Sequence, residues 1–319
     1  MGTALQGVVD DHDGHEHRAP CTTGRAHEDR RVSEWLSGFR AENTRAAYAR
    51  DLAHFRKYLA ASGLELLSVA RVHVDAYVHG FTLTGASAAT VARRLSAVSS
   101  FYRRMVQDGQ LERNPAADVQ RPRIDPDGTS TDYLDSHEAE RLLEAAEASG
   151  ARNHAFVRLL LTTGVRVSEA LGAHESDLGR QDGGDFLCVR RKGGKLAKVH
   201  LPPRTLGALR TMLESTGGEL ATGHEPERLL FTTATGKPWD RNEAAKTLAR
   251  LVKRAGIDKT ITPHSLRHTH ATLALDLKVP LRDLQDSLGH ADPRTTRRYE
   301  RDRDNLRRSS ARKVGALFG

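Results

Sequence analysis

The chain has 319 residues, a length that suggests two domains. Lysine and arginine number 49 against 41 aspartates and glutamates, and the formal net charge of +8 favours a polyanionic partner such as nucleic acid. Two cysteines far apart in sequence, Cys21 and Cys188, exclude a disulfide framework and a CxxC metal pair, and no apolar run approaches the roughly 20 residues of a membrane span.

Residues 1–31 are polar and poor in large apolar groups after Val9, so a disordered polar extension is expected there. Its histidines His12, His15 and His17 read as a solvated tail rather than a metal site. Charge follows Val9 at once, which is no signal peptide, and Gln6 breaks the myristoylation pattern, so a cytoplasmic protein is expected. From Val32 the pattern turns helical. Asn43 is placed to cap a helix whose apolar residues Tyr48, Leu52, Phe55 and Leu59 keep helical spacing, with Gly63 at its end. A short helix is expected over Val74 to Val78. Ser87 can cap another, with Val91, Leu95, Val98, Tyr102 and Met105 on one side and Arg93, Arg94, Arg103 and Arg104 on the others. Asn114-Pro115 closes this region, 32–120.

The segment 121–132 reads as a linker, with Arg121 and Arg123 available to a phosphate backbone. A second domain, 133–300, opens at Tyr133-Leu134, where Asp135 and Glu138 match a capping box. Phe156 to Leu161 reads as a buried helix. Phe186 to Leu201 reads as a hairpin turning at Lys192-Gly193-Gly194-Lys195. Helices follow over Asn242 to Ala255, Leu266 to Leu277 and Leu281 to Leu288. Residues 301–319 form a charged tail that ends in Val314, Ala316, Leu317 and Phe318.

One constellation carries chemistry. His264 and Arg267 lie three residues apart, so they share a helix face. His290 follows downstream, and Tyr299 nine positions later. Arg166 stands at a turn and Lys192 on the hairpin. Guanidinium forks grip phosphate oxygens, imidazoles move protons and a phenol can attack phosphorus, which together suit metal-free cleavage of a phosphodiester. Each piece is weak alone; their order is the signal.

In that order and local context the chain resembles the tyrosine recombinase (phage integrase) family from about Val32 onward. The resemblance rests on Thr163-Gly164-Val165-Arg166-Val167-Ser168-Glu169-Ala170-Leu171, on Thr262 to Thr272, and on Leu288-Gly289-His290 through Tyr299. It implies a mainly helical fold with a small antiparallel sheet: a helical SAM-like core-binding domain joined to a mixed α/β catalytic domain. It implies attack by Tyr299 on the scissile phosphorus, with Arg166 and Arg267 on the non-bridging oxygens. In the same scheme His264 is the base, Lys192 the acid, His290 a supporting donor and Glu169 a support behind the site. No metal and no cofactor are implied. The implied partner is a double-stranded DNA recombination site, bound by a homo-tetramer in the synaptic complex; free in solution the implied state is a monomer, with helper proteins compatible and no membrane. The arginines at 93, 94, 103, 104, 121 and 123 become DNA-contact candidates, and the tail a segment for docking on a neighbouring subunit.

The sequence departs from the family pattern at Arg191, where a glycine often precedes the lysine, so Lys195 and Lys198 are rivals to Lys192. Arg297-Arg298 also replaces more apolar residues beside the nucleophile. Integration or excision of a mobile element by a simple-type enzyme without an arm-binding domain is the expected role, and Xer-like dimer resolution is the alternative. A type IB topoisomerase shares the chemistry but not the helical bundle and tail. A zinc hydrolase fails because Ser265 stands where HExxH needs glutamate. A pure DNA-binding protein needs none of the six catalytic positions.

Overall fold

The structure is a computed structural model that describes residues 22–123, 132–191, 193–216 and 228–289. The chain divides into two compact units, Met1–Asp125 and Pro126–Gly319. Both are mainly helical, and the second holds a small antiparallel sheet, as the sequence led us to expect; its described strands number three.

The first unit holds α1 (Thr22–Ser37), α2 (Glu42–Ala61), α3 (Arg71–Leu83) and α4 (Ala88–Gln107). Helix α1 begins within the stretch expected to be disordered, which corrects that reading for residues 22–31. Its polar first turns are held by polar contacts that apolar periodicity does not reveal. Glu28 accepts from the backbone N–H of Leu66, and Asp29 pairs with Arg56 at 2.7 Å. Asn43 is not a cap: α2 starts at Glu42 with Ala41 ahead of it and no side-chain cap bond. Helix α3 outruns its expected ends because Val74, Tyr77 and Phe81 all enter the core. Helix α4 follows its sequence. Ser87 caps it through the Thr90 N–H, and Val91, Leu95, Val98, Tyr102 and Met105 are all buried. Around them Phe55 meets Tyr77 edge-on at 4.8 Å and Trp35 meets Phe101 at 5.5 Å. Asn114 seals the end by donating to Ser99 O at 3.0 Å.

The second unit opens on α5 (Ser136–Glu147), whose capping box is complete: Glu138 N–H donates to Asp135 at 2.8 Å and Asp135 N–H to Glu138 at 2.9 Å. Helix α6 (Ala151–Thr163) is the central buried element, packed by α5, by α8 (Pro203–Ser215) and by α10 (Pro263–Asp276). Between them come α7 (Val167–Leu171), β1 (Leu178–Gln181), β2 (Gly184–Arg190) and β3 (Leu196–His200). Strands β2 and β3 form the expected hairpin, in register from Phe186↔His200 to Arg190↔Leu196. Strand β1 and helix α8 were not expected. Leu178-Gly179-Arg180-Gln181 has no alternation, and Gly179 is there because a Cβ would lie 2.5 Å from the Phe186 ring across the strands. Helices α9 (Arg241–Arg254) and α11 (Leu281–Leu288) lie within a residue of their expected ends, whereas α10 starts three residues early, at Pro263.

Replacing Ser87 by alanine removes one N-terminal acceptor from α4 and should cost about 1 kcal/mol. Denaturant unfolding of the full chain checks this, and an unchanged midpoint would show that the cap contributes nothing.

Candidate active site

Helix α6 ends at Gly164, which has φ +63 and closes the helix by donating to Leu160 O at 3.0 Å. Space as well as conformation demands glycine here. A Cβ would lie 2.6 Å from His270 Cδ2 and 2.7 Å from Leu288 Cδ2. Two residues on, Arg166 precedes α7 in an extended conformation. Glu169, one turn into that helix, accepts from the Arg166 backbone N–H at 2.9 Å and from its guanidinium at 2.7 Å. The Glu169 side chain is 4% exposed and that of Arg166 36%. A buried carboxylate thus orients an arginine that still reaches solvent.

Helix α10 supplies the next pair. Thr262 caps it through the Ser265 N–H at 3.2 Å, and Pro263 presets its first turn. His264 is exposed in that turn, while Arg267, three residues later, is only 2% exposed. Arg267 donates to Gly164 O at 2.6 Å and to Leu288 O at 2.7 Å. The carbonyls at the ends of α6 and α11 therefore meet on one guanidinium, two residues from Arg166 and two from His290. Residues after α10's first turn are buried on nearly every side. Thr269 accepts from Leu134 N–H at 3.0 Å, and His268 meets Tyr133 edge-on at 5.2 Å.

His270 is a site neighbour whose role the sequence reading missed. Its Nδ1 donates to Leu161 O at 3.0 Å, and its ring lies against Gly164. Burial pulls this imidazole below its ordinary value against the Leu161 bond, and the Arg267 charge adds to the lowering. The neutral ring carries its proton on Nδ1. The signal was present in sequence as helical spacing, because Arg267 and His270 are three apart on α10.

Lys192, His290 and Tyr299 lie outside the described residues, as does the tail after residue 300. Of the rival lysines, Lys195 is exposed, whereas Lys198 donates to Gln181 and lies 4.6 Å over the Phe186 ring. Lys198 is thereby committed to the sheet.

The DNA-contact candidates sit in the first unit with varied partners. Arg93 pairs with buried Asp51, and Arg104 with Asp108 at 2.8 Å. Arg94 donates to His54 Nε2 at 3.1 Å and lies 4.8 Å over the Phe81 ring, and Arg121 donates to Ser96 at 3.0 Å. Arg103 and Arg123 are exposed. Burial and then the Arg94 charge hold His54 below its ordinary value, as an acceptor for Arg94 requires.

Residues 132–305 match the model of the phage integrase family, and residues 35–109 match its N-terminal SAM-like domain. The chain belongs to the phage integrase family, the tyrosine recombinases, and is a site-specific recombinase. It is 32% identical to tyrosine recombinase XerD of Oceanobacillus iheyensis over 263 residues, 81% of this chain and 87% of that one. It is 34% identical to tyrosine recombinase XerC of Pelobacter propionicus over 264 residues, 81% and 84% of the two chains. Its fold matches that of a lambda integrase tetramer bound to a Holliday junction, with a TM-score of 0.70 at 20% identity, over 88% of this chain and 78% of that one. Among the described residues no helix is long and apolar enough to cross a membrane.

Gly164→Ala combines a left-handed alanine with a clash against His270 and Leu288, and should destabilise by about 2–4 kcal/mol. A loss below about 0.5 kcal/mol in denaturant unfolding would refute the packing argument. The pH dependence of stability tests His270. Its folded value lies below the ordinary 6.5, so its contribution is present above pH 6.5 and is lost as pH falls towards the folded value. His270→Asn keeps a donor for Leu161 O without a titrating group. The drop in melting temperature between neutral and acid solution should shrink in that variant, and an identical drop refutes the assignment.

Proposed function

We propose that the chain cuts and rejoins double-stranded DNA through a 3′-phosphotyrosine, and that it does so in the Xer manner rather than for a mobile element. Tyr299 attacks the scissile phosphorus, the bond from its phenol oxygen to phosphorus forms, and the bond to the 5′ oxygen breaks. His264 takes the phenol proton and Lys192 gives one to the departing 5′ oxygen. Arg166 and Arg267 hold the non-bridging oxygens as charge builds on the pentacoordinate phosphorus, with His290 as a further donor and Glu169 fixing Arg166. Rejoining is the reverse, with a 5′ hydroxyl attacking the phosphotyrosine, so the energy of the broken bond is conserved.

The observation that carries this reading is the meeting of Arg267 with the Gly164 carbonyl, which brings two arginines from separate sequence boxes into one neighbourhood. Lys192 is preferred to Lys198 because the latter is engaged by Gln181 and Phe186. The Xer role, the alternative in the sequence reading, is preferred to mobile-element integration because the relatives just described carry Xer names over more than four-fifths of their length. We assign residues 32–120 to DNA binding in the core-binding domain, 121–132 to a linker, 133–300 to catalysis and 301–319 to docking on a neighbour. A homo-tetramer on DNA in the cytoplasm fits that assignment, and the lambda integrase tetramer on a Holliday junction supports it.

The test uses a nicked duplex recovered from a random-sequence pool by binding to the protein. Wild type should leave a covalent protein–DNA adduct, Tyr299→Phe none, and Arg267→Gln about 10²–10³-fold less adduct at early times. An adduct formed by Tyr299→Phe removes the nucleophile assignment. Conversion of plasmid dimers carrying that site to monomers supports the Xer role, and failure to resolve them counts against it.

A further inference from the structure

Arg191 leaves the end of β2 and reaches the last turn of α11. Its Nη1 donates to Asp286 O at 3.2 Å and its Nη2 to Ser287 O at 2.7 Å. This is a fork laid across two successive carbonyls at the negative end of a helix; Asp286 O also accepts from the capping Gly289 N–H at 3.0 Å. Gly289, with φ +64, admits it: a Cβ there would lie 1.9 Å from Arg191 Nη1 and 2.5 Å from Cζ. The backbone of Arg191 is fixed as well. Its N–H donates to Lys195 O at 2.8 Å, and its carbonyl accepts from Gly194 N–H at 3.0 Å. Gly193 follows with φ +84, a conformation that glycine adopts without steric cost. Side chain and turn are thus anchored at one residue, immediately before Lys192. The helix it grips ends at Leu288 with Gly289 as its cap, and His290 follows in sequence.

We propose that Arg191 is a positioning residue that acts through Lys192 by fastening the hairpin turn to the end of α11. The proposal rests on the reading of Lys192 as the acid for the leaving 5′ oxygen. A lysine in place of Arg191 offers one point of charge and cannot span two carbonyls. Misplacing a proton donor by an ångström or so is costly when the leaving group is an alkoxide.

The test compares two versions of the same nicked duplex, one with oxygen and one with sulfur bridging the phosphorus to the 5′ carbon. A thiolate, with a conjugate acid near pKa 8.5 (about the value for a cysteine thiol), leaves without a proton, so the sulfur substrate needs no acid. In the full chain, Arg191→Ala and Arg191→Lys should bind DNA as wild type does. They should cleave the oxygen substrate about 10–100-fold more slowly and the sulfur substrate within about threefold of wild type. Lys192→Ala is the control and should show the same rescue. Equal slowing on both substrates, or no slowing, overturns the positioning role. Rescue of Lys192→Ala without rescue of Arg191→Ala overturns it alone. Failure of sulfur to rescue Lys192→Ala overturns the assignment of the acid, and with it the proposal.

Discussion

The catalytic unit depends on how one buried charge is satisfied. Arg267 is 2% exposed, and removing a guanidinium from water is expensive unless strong acceptors replace the water. Here the acceptors are Gly164 O and Leu288 O, at the C-termini of α6 and α11, where partial negative charge gathers and carbonyls lack helical partners. The arrangement solves two problems together, since the helix ends need donors and the arginine needs acceptors. It also fixes three helices at one point. Gly164 must be glycine for this to happen, because His270 and Leu288 already fill the space beside it.

Arg166 and Arg267 are held by different means, and the difference has a chemical consequence. Glu169 puts a full negative charge beside Arg166 at 2.7 Å, which orients the fork while offsetting part of its field. Arg267 is oriented by the two helix-end carbonyls, Gly164 O and Leu288 O. On the proposed mechanism, a pair held in this way needs little rearrangement when charge develops on a bound phosphate, the condition for electrostatic stabilisation to act on the transition state.

Legibility followed the physics of each element. Helix α4 could be read from Ser87 and from apolar residues at helical spacing, because both its cap and its core are local features. The hairpin could be read from β-prone runs around Gly193-Gly194, which the turn needs for positive φ. Arg166, His264 and Arg267 stood out by type and order. Helix α1 could not be read, because its polar start is held by Glu28 and Asp29 reaching residues far along the chain. Strand β1 could not either, since its fit depends on the Phe186 ring meeting a glycine across the sheet. The same holds for His270 and Arg191, whose contacts are with the ends of other helices. A sequence shows that an arginine is present; only the fold shows which carbonyls converge on it.

The same distinction sharpens the reading of charge in the first unit. The family resemblance makes six arginines there candidates for DNA contact, but their surroundings differ. Arg93 and Arg104 are paired with Asp51 and Asp108, so a phosphate must compete with a carboxylate already in place. Arg94 is held by a neutral imidazole and an aromatic face, and Arg121 by a hydroxyl, so both are oriented with their charge intact. Affinity that comes from displaced counterions scales with the charge actually offered to phosphate, not with the number of arginines. Of the six candidates, Arg94, Arg103, Arg121 and Arg123 have no carboxylate partner among the described residues to compete with a phosphate.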